Sequence, residues 1–301
     1  MKPRWAQLPE RGTPTALRMI RWIGMRVGRR AGRLLLYPIT LYFLLTAKSA
    51  RRSSRRYLHR VFGFDAGWQG VFRHIHCFSA TILDRIYLLA GQFKRFDIRL
   101  YNGELITAQV ASRRGCILLG SHLGSFEVLR VLGVTLKRFP VKVLMNVDHN
   151  RSITDFLGAL NPEVADTVIP LGRPETLLKV KESLDQGYMI GTLGDRVTVS
   201  DKVVRCRFLG TETDFPAGPL LMAAIMRCPV VLFFGLYRGG NRYDIHFELL
   251  AEEIAMRREQ RQEDIRGWTR RYVERLEYYT QQAPYNWFNF YDFWDEESAE
   301  D

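Results

Sequence analysis

The sequence predicts an α/β fold built on a mixed, largely parallel sheet flanked by helices, with a membrane-associating helical segment at the amino-terminal end. Three observations carry this expectation. Short apolar runs of strand length alternate with helical patterns beyond residue 60, as βαβ units require. One such run ends in Gly120, Ser121 and His122 and is followed at once by a helical pattern. The positive charge is gathered at one end of the chain.

The charge is the first element to justify. Over all 301 residues the net charge is +12, yet residues 1–60 hold 15 Lys and Arg against the single acid Glu10, so the remainder is close to neutral. A basic end serves either nucleic acid or an anionic membrane, and the apolar residues between the charges choose. At 100° per residue Ala16, Met19, Ile20, Ile23 and Val27 form one stripe, with Arg18, Arg21, Arg26, Arg29 and Arg33 mostly opposite. That is the pattern of a helix lying in a membrane interface; a surface helix packed on its own protein is the alternative. Leu34 to Ala47 then form an uncharged run between Arg33 and Lys48. Fourteen residues fall short of the roughly 20 needed for a straight span, and Pro38 interrupts them, so a shallow or re-entrant insertion fits as well as a span. A buried core helix is the competing reading. Basic residues on both flanks place both ends on the cytoplasmic side. RRSSRR at 51–56 raises nucleic acid as a partner, but the neutral body and the intervening apolar run argue against it.

The chain divides into a basic, membrane-associating segment over 1–60, an α/β unit over 61–294 and an acidic tail over 295–301. Strands are expected at Cys116–Leu119, Val141–Met145, Thr167–Ile169, Tyr188–Thr192, Val230–Leu236 and Tyr243–Leu249. Helices are expected at Pro174–Gln186, Pro219–Met226 and Glu252–Gln282. The last two strands, six residues apart, read as an antiparallel hairpin. Four widely spaced cysteines, with no C-x-x-C pair, suggest neither a disulfide framework nor a zinc site.

The candidate site lies at the carboxyl end of the first of these strands, where open α/β sheets collect catalytic groups. An imidazole with a pKa near 6.5 takes a proton from a hydroxyl at neutral pH when its other nitrogen is held. Glu127, in the first helical turn, is the expected holder of His122. A histidine that merely caps a helix is the alternative. No nucleophile elbow G-x-S-x-G is present, and Ser121 and Ser125 stand in the wrong frame for one, which disfavours a thioesterase or lipase. Amides near Gly124 and the helix start are expected to steady an oxyanion, and Phe126, Leu129 and helix Pro219–Met226 to line an acyl groove.

The H-x-x-x-x-E element after a strand resembles the lysophospholipid acyltransferase superfamily, in particular its bacterial lipid A late acyltransferase branch. GCILLGSHLGSFEVLR, Gly194-Asp195-Arg196, FLG at 208–210, FPAGP at 215–219 and the Pro284, Tyr285, Trp287 segment agree in order over nearly the whole chain. The stretch Thr198–Arg207 shows no match to the lipid A enzymes. LRMIRWIGMRVGRR, LLLYPITLYFLL and HLGSFEVLR look more like relatives associated with aryl-polyene lipids. The resemblance implies transfer of a fatty acyl chain from acyl carrier protein or acyl-CoA to a hydroxyl of a membrane lipid, at the cytoplasmic face of a bacterial inner membrane, without a cofactor. It implies His122 and Glu127 as catalytic residues. Asp195 stands where the family often has a second acid, and Arg196 beside it is a candidate for an acceptor's phosphate or carboxylate. A surface ion pair is the plainer reading of those two. Arg173, Ser121, Gly124 and Phe126 complete the expected substrate contacts. A non-catalytic membrane-surface scaffold is the remaining alternative.

Overall fold

The computed structural model describes residues 28–134, 139–146, 166–198 and 201–294, together with Arg26 and Glu163. The expected amphipathic stripe at 16–27, apart from Arg26, and the acidic tail at 295–301 lie outside the described residues.

Three helices come first: α1 (Arg29–Thr46), α2 (Lys48–Phe62) and α3 (Gly67–Leu89). The chain continues through β1 (Asp97–Tyr101), α4 (Gly103–Ser112), β2 (Ile117–Gly120), α5 (Phe126–Val134), β3 (Val141–Met145) and β4 (Val168–Pro170). It ends with α6 (Thr176–Asp185), β5 (Met189–Leu193), the hairpin β6 (Val203–Phe208) and β7 (Thr211–Pro216), α7 (Gly218–Met226), β8 (Val230–Gly239), β9 (Arg242–Ala251) and α8 (Arg261–Gln282).

The main sheet has the order β1-β9-β8-β2-β5-β3-β4. β8 and β9 are antiparallel and every other pairing described in this sheet is parallel. β2 lies near the middle and is buried along its whole length, which is why it reads as a continuous apolar run rather than an alternating one. Ile117 and Leu119 face one core and Cys116 and Leu118 the other. The hairpin expectation holds, with a connection shortened to Gly240 and Asn241 because both strands extend further than their apolar runs. The final helix starts at Arg261 rather than Glu252; residues 252–260 form turns, held where Asp264 accepts from the Arg257 backbone N–H at 2.6 Å.

The apolar run 34–47 forms the carboxyl-terminal part of α1 and its cap, and one face of it packs as the core-helix reading expects. Leu36, Thr40, Leu44 and Ala47 are buried, with Tyr37 against Phe72 and His76 of α3; burial of each leucine contributes about 2 kcal/mol. Leu34, Leu41, Tyr42 and Leu45 stay exposed on the other side, with Tyr37 half-exposed at the edge of the packed face. Among the described residues no helix is long and apolar enough to cross a membrane. Arg29 and Arg33, expected on the polar face of an interfacial helix, instead turn inward onto Asp84 of α3, which is fully buried. Asp84 also accepts from the Tyr243 hydroxyl at 2.9 Å. A buried carboxylate demands such partners, and this one ties α1 to both α3 and β9.

Candidate active site

The parallel pairing of β2 with β5 builds the site. Gly120 lies opposite Leu193, and the Gly194 N–H continues the ladder by donating to the Gly120 carbonyl at 3.0 Å. Two residues beyond each paired position stand His122 and Asp195. The Asp195 carboxylate accepts from His122 Nδ1 at 2.8 Å and from the His122 backbone N–H at 3.1 Å. Trp287 Nε1 and Asn289 Nδ2 donate to its other oxygen at 3.1 and 3.0 Å.

This corrects the expectation for Glu127. The carboxylate on His122 Nδ1 is Asp195, 73 residues away in sequence. Glu127, at the start of α5, is instead ion-paired across the cavity with Arg85 of α3. Helix α5 aims its first turn at α3, whereas the strand register aims Asp195 at the ring.

His122 lines a cavity of about 420 Å³, and 26% of its side chain stays accessible while Asp195 is sealed. The walls are largely apolar: Phe78 and Ile82 come from α3, Phe126 from α5, Val143 and Leu144 from β3, and Phe290 from the carboxyl-terminal segment. Leu129 is fully buried in the core instead, and helix Gly218–Met226 is not among the elements lining this cavity, which lies between α3, α5 and β3. Arg85 and Arg196 bring positive charge to the same space.

Burial pushes the His122 pKa down, helped by Arg196 and Arg85 and opposed by Asp195. The ring is therefore neutral at pH 7. Burial alone would raise Asp195, but His122, its hydrogen bonds and Arg196 hold the carboxyl down at about 2. An ionised Asp195 fixes the proton on Nδ1 and leaves Nε2 as the acceptor. Desolvation likewise lowers Arg196, whose Nε donates to Asn289 Oδ1 at 2.8 Å and whose terminal nitrogen donates to the Phe288 carbonyl at 3.0 Å. Arg196 thus secures the segment that secures Asp195.

The loop between β2 and α5 is fixed at three points. The Gly124 N–H donates to Asn286 O at 2.8 Å, the Ser125 N–H to Gly235 O at 2.7 Å and the Phe288 N–H to His122 O at 2.8 Å. The first two bonds commit the amides expected to serve an oxyanion near Gly124. Helix α5 begins immediately after this loop, at Phe126, with Glu127 in its first turn. Gly124 itself has φ +75°, and a Cβ there would sit 1.9 Å from Gly235 O, so glycine is required. Ser121 lines the cavity beside His122. Arg173, by contrast, lies on the exposed turn after β4 and is not among the cavity-lining residues.

Sequence reasoning missed three contributors. Arg85 sits on α3, a helix carrying no motif. Asn289 falls within the aromatic segment that contains Trp287, where an amide carries no signature of its own. His74 is buried behind that segment, its pKa pressed down to about 4 by burial. The neutral ring donates from Nε2 to Trp287 O at 2.9 Å, so Nδ1 accepts from the Ser54 hydroxyl at 2.8 Å. This bridge ties α2 to the residue that holds Asp195.

At the carboxyl end of β2 the α/β sheet thus holds a carboxylate-braced histidine beside a largely apolar cavity, the arrangement of an acid–base site. The chain belongs to the bacterial lipid A biosynthesis acyltransferase family, whose family model matches residues 19–295. It is accordingly an enzyme of acyl transfer to a lipid acceptor. Comparison with the curated proteins finds no match.

Proposed function

We propose that the enzyme moves a fatty acyl chain from an acyl thioester, on acyl carrier protein or coenzyme A, to a hydroxyl of a membrane lipid or glycolipid, with His122 as general base. The carrying observation is the bond from His122 Nδ1 to sealed Asp195, in a ring that also lines an apolar cavity. Nε2 takes the proton of the acceptor hydroxyl as its oxygen attacks the thioester carbonyl. Collapse of the tetrahedral intermediate breaks the C–S bond, and the departing sulfur recovers the proton from the imidazolium. Asp195 stabilises that imidazolium, as a triad carboxylate does. Negative charge on the intermediate falls near Arg85 in the cavity wall, which supplies part of the preorganised field such chemistry uses. Glu127 supports the step by holding Arg85 at the cavity wall.

The exposed apolar stripe of α1 and the basic charge of residues 1–60 support work at the cytoplasmic face of a bacterial inner membrane. A lipid A-type glycolipid and an aryl-polyene lipid are the two acceptors that the sequence puts forward. The test uses the purified enzyme with an acyl thioester, with and without extracted lipid. Thiol release that depends on lipid and yields an acylated product is expected, and release at the same rate without lipid would make the enzyme a hydrolase instead.

A further inference from the structure

A second cavity, about 1100 Å³ and open to solvent, lies between α2 and the start of α3. Six cations of α2 line it against two carboxylates, Asp65 and Asp292. The carboxylates are already spent: Asp65 pairs with Arg55 and Asp292 with Arg56. Arg51 is spent too, donating to Leu44 O at 2.7 Å with its guanidinium over the Trp68 ring. Lys48 and Arg52 line the cleft without a hydrogen bond or ion pair to any described residue. A cleft left with uncompensated cations of this kind recruits an anion.

We propose that the cleft binds the phosphate of an anionic lipid headgroup at the bilayer surface, with Lys48 and Arg52 as its principal contacts. This rests on the membrane part of the proposed function and adds a defined headgroup site to it. Two features favour a bilayer over an acidic protein. The exposed apolar stripe of α1 runs directly into the cleft, since Arg51 bonds the carbonyls of Leu44 and Leu45 where that stripe ends. Trp68, 57% exposed, lines the cleft, and such an aromatic side chain suits the headgroup layer. An acidic protein would answer the charge and leave the stripe uncovered, whereas a bilayer answers both. Consecutive residues line the two cavities, Asp292 the cleft and Tyr291 the cavity of His122.

Co-sedimentation of the full chain with vesicles of phosphatidylcholine, alone or mixed with phosphatidylglycerol, tests this. Lys48→Gln/Arg52→Gln is compared with Arg258→Gln/Arg261→Gln, a pair of exposed cations elsewhere, after matching thermal melts show that both are folded. The cleft pair should weaken binding to phosphatidylglycerol vesicles roughly 30-fold, about fivefold for each charge at the surface. The control pair should change it by less than about threefold. Equal weakening by the two pairs would reduce the site to diffuse attraction and overturn the proposal. So would unchanged vesicle binding of the cleft variant, or a purified acidic acyl carrier protein that loses binding to that variant while vesicles do not. Wild-type protein that binds neither kind of vesicle would instead remove the membrane part of the proposed function.

Discussion

Replacing Asp195 by Asn separates the two carboxylates near His122 most sharply. The aspartate receives the His122 ring N–H, the His122 backbone N–H, the Trp287 indole and the Asn289 amide. Asparagine keeps the shape but offers a single acceptor oxygen, and its NH2 must face one of these donors. Loss of a charge-assisted hydrogen bond costs about 1.5–3 kcal/mol, or roughly 10- to 150-fold in rate. If the amide turns its NH2 to the ring, the imidazole proton moves to Nε2 and the base is lost, extending the effect toward about 10⁴-fold. The expected result is therefore a fall of more than about 10-fold and up to about 10⁴-fold in kcat, with KM changed by less than about threefold because the carboxylate does not face the cavity. Lipid-dependent thiol release from an acyl thioester is the assay, on protein whose near-ultraviolet circular dichroism matches the wild type. Asp195→Asn within about tenfold of wild type, alongside a larger loss in Glu127→Gln, would return the bracing role to Glu127 and refute the reasoning.

Four further outcomes follow from the structure. Because the His122 pKa is lowered, chiefly by burial and then by Arg196, the acid limb of kcat/KM lies below the ordinary histidine value; activity is retained as pH falls to that limb and lost below it. Arg196→Gln removes a charge that disfavours the imidazolium, so the limb in its pH–rate profile moves upward. Gly124→Ala forces a side chain onto the Gly235 carbonyl at positive φ, which should destabilise the protein by at least about 2 kcal/mol in denaturant unfolding, with activity falling as the His122 loop shifts. Asp84→Asn strands Arg29 and Arg33 beside a neutral group and should cost about 3–5 kcal/mol, seen as early loss of α1 protection in hydrogen exchange.

The central sheet was legible because its strands are buried and apolar: β2, β3, β5, β8 and β9 each appear as runs that polar residues interrupt little or only in alternation. β1 was not, since Asp97–Tyr101 is an edge strand with four of five residues exposed and no apolar pattern. The hairpin β6–β7 alternates buried and exposed positions, but its arginines and acids disguised strands that form a separate two-stranded sheet. Helix α3 carries buried residues on most of its faces, and its role in the site, through Arg85, has no local signature. His122 could be picked out from its place after a strand. Its partner could not, because the bond to Asp195 depends on β2 lying beside β5 in a register that pairs Gly120 with Leu193, and spacing along the chain favoured the nearer acid. Arg29 and Arg33 misled for a similar reason: a helical wheel shows which side they occupy but not that a buried acid waits there.

The decisive measurement is lipid mass spectrometry on cells lacking the gene, complemented with the wild-type enzyme or with His122→Ala expressed at equal level. The account predicts a lipid species that gains the mass of one acyl chain with the wild type and stays unacylated with the variant. Full restoration of that species by His122→Ala would contradict the proposal that this imidazole deprotonates the acceptor.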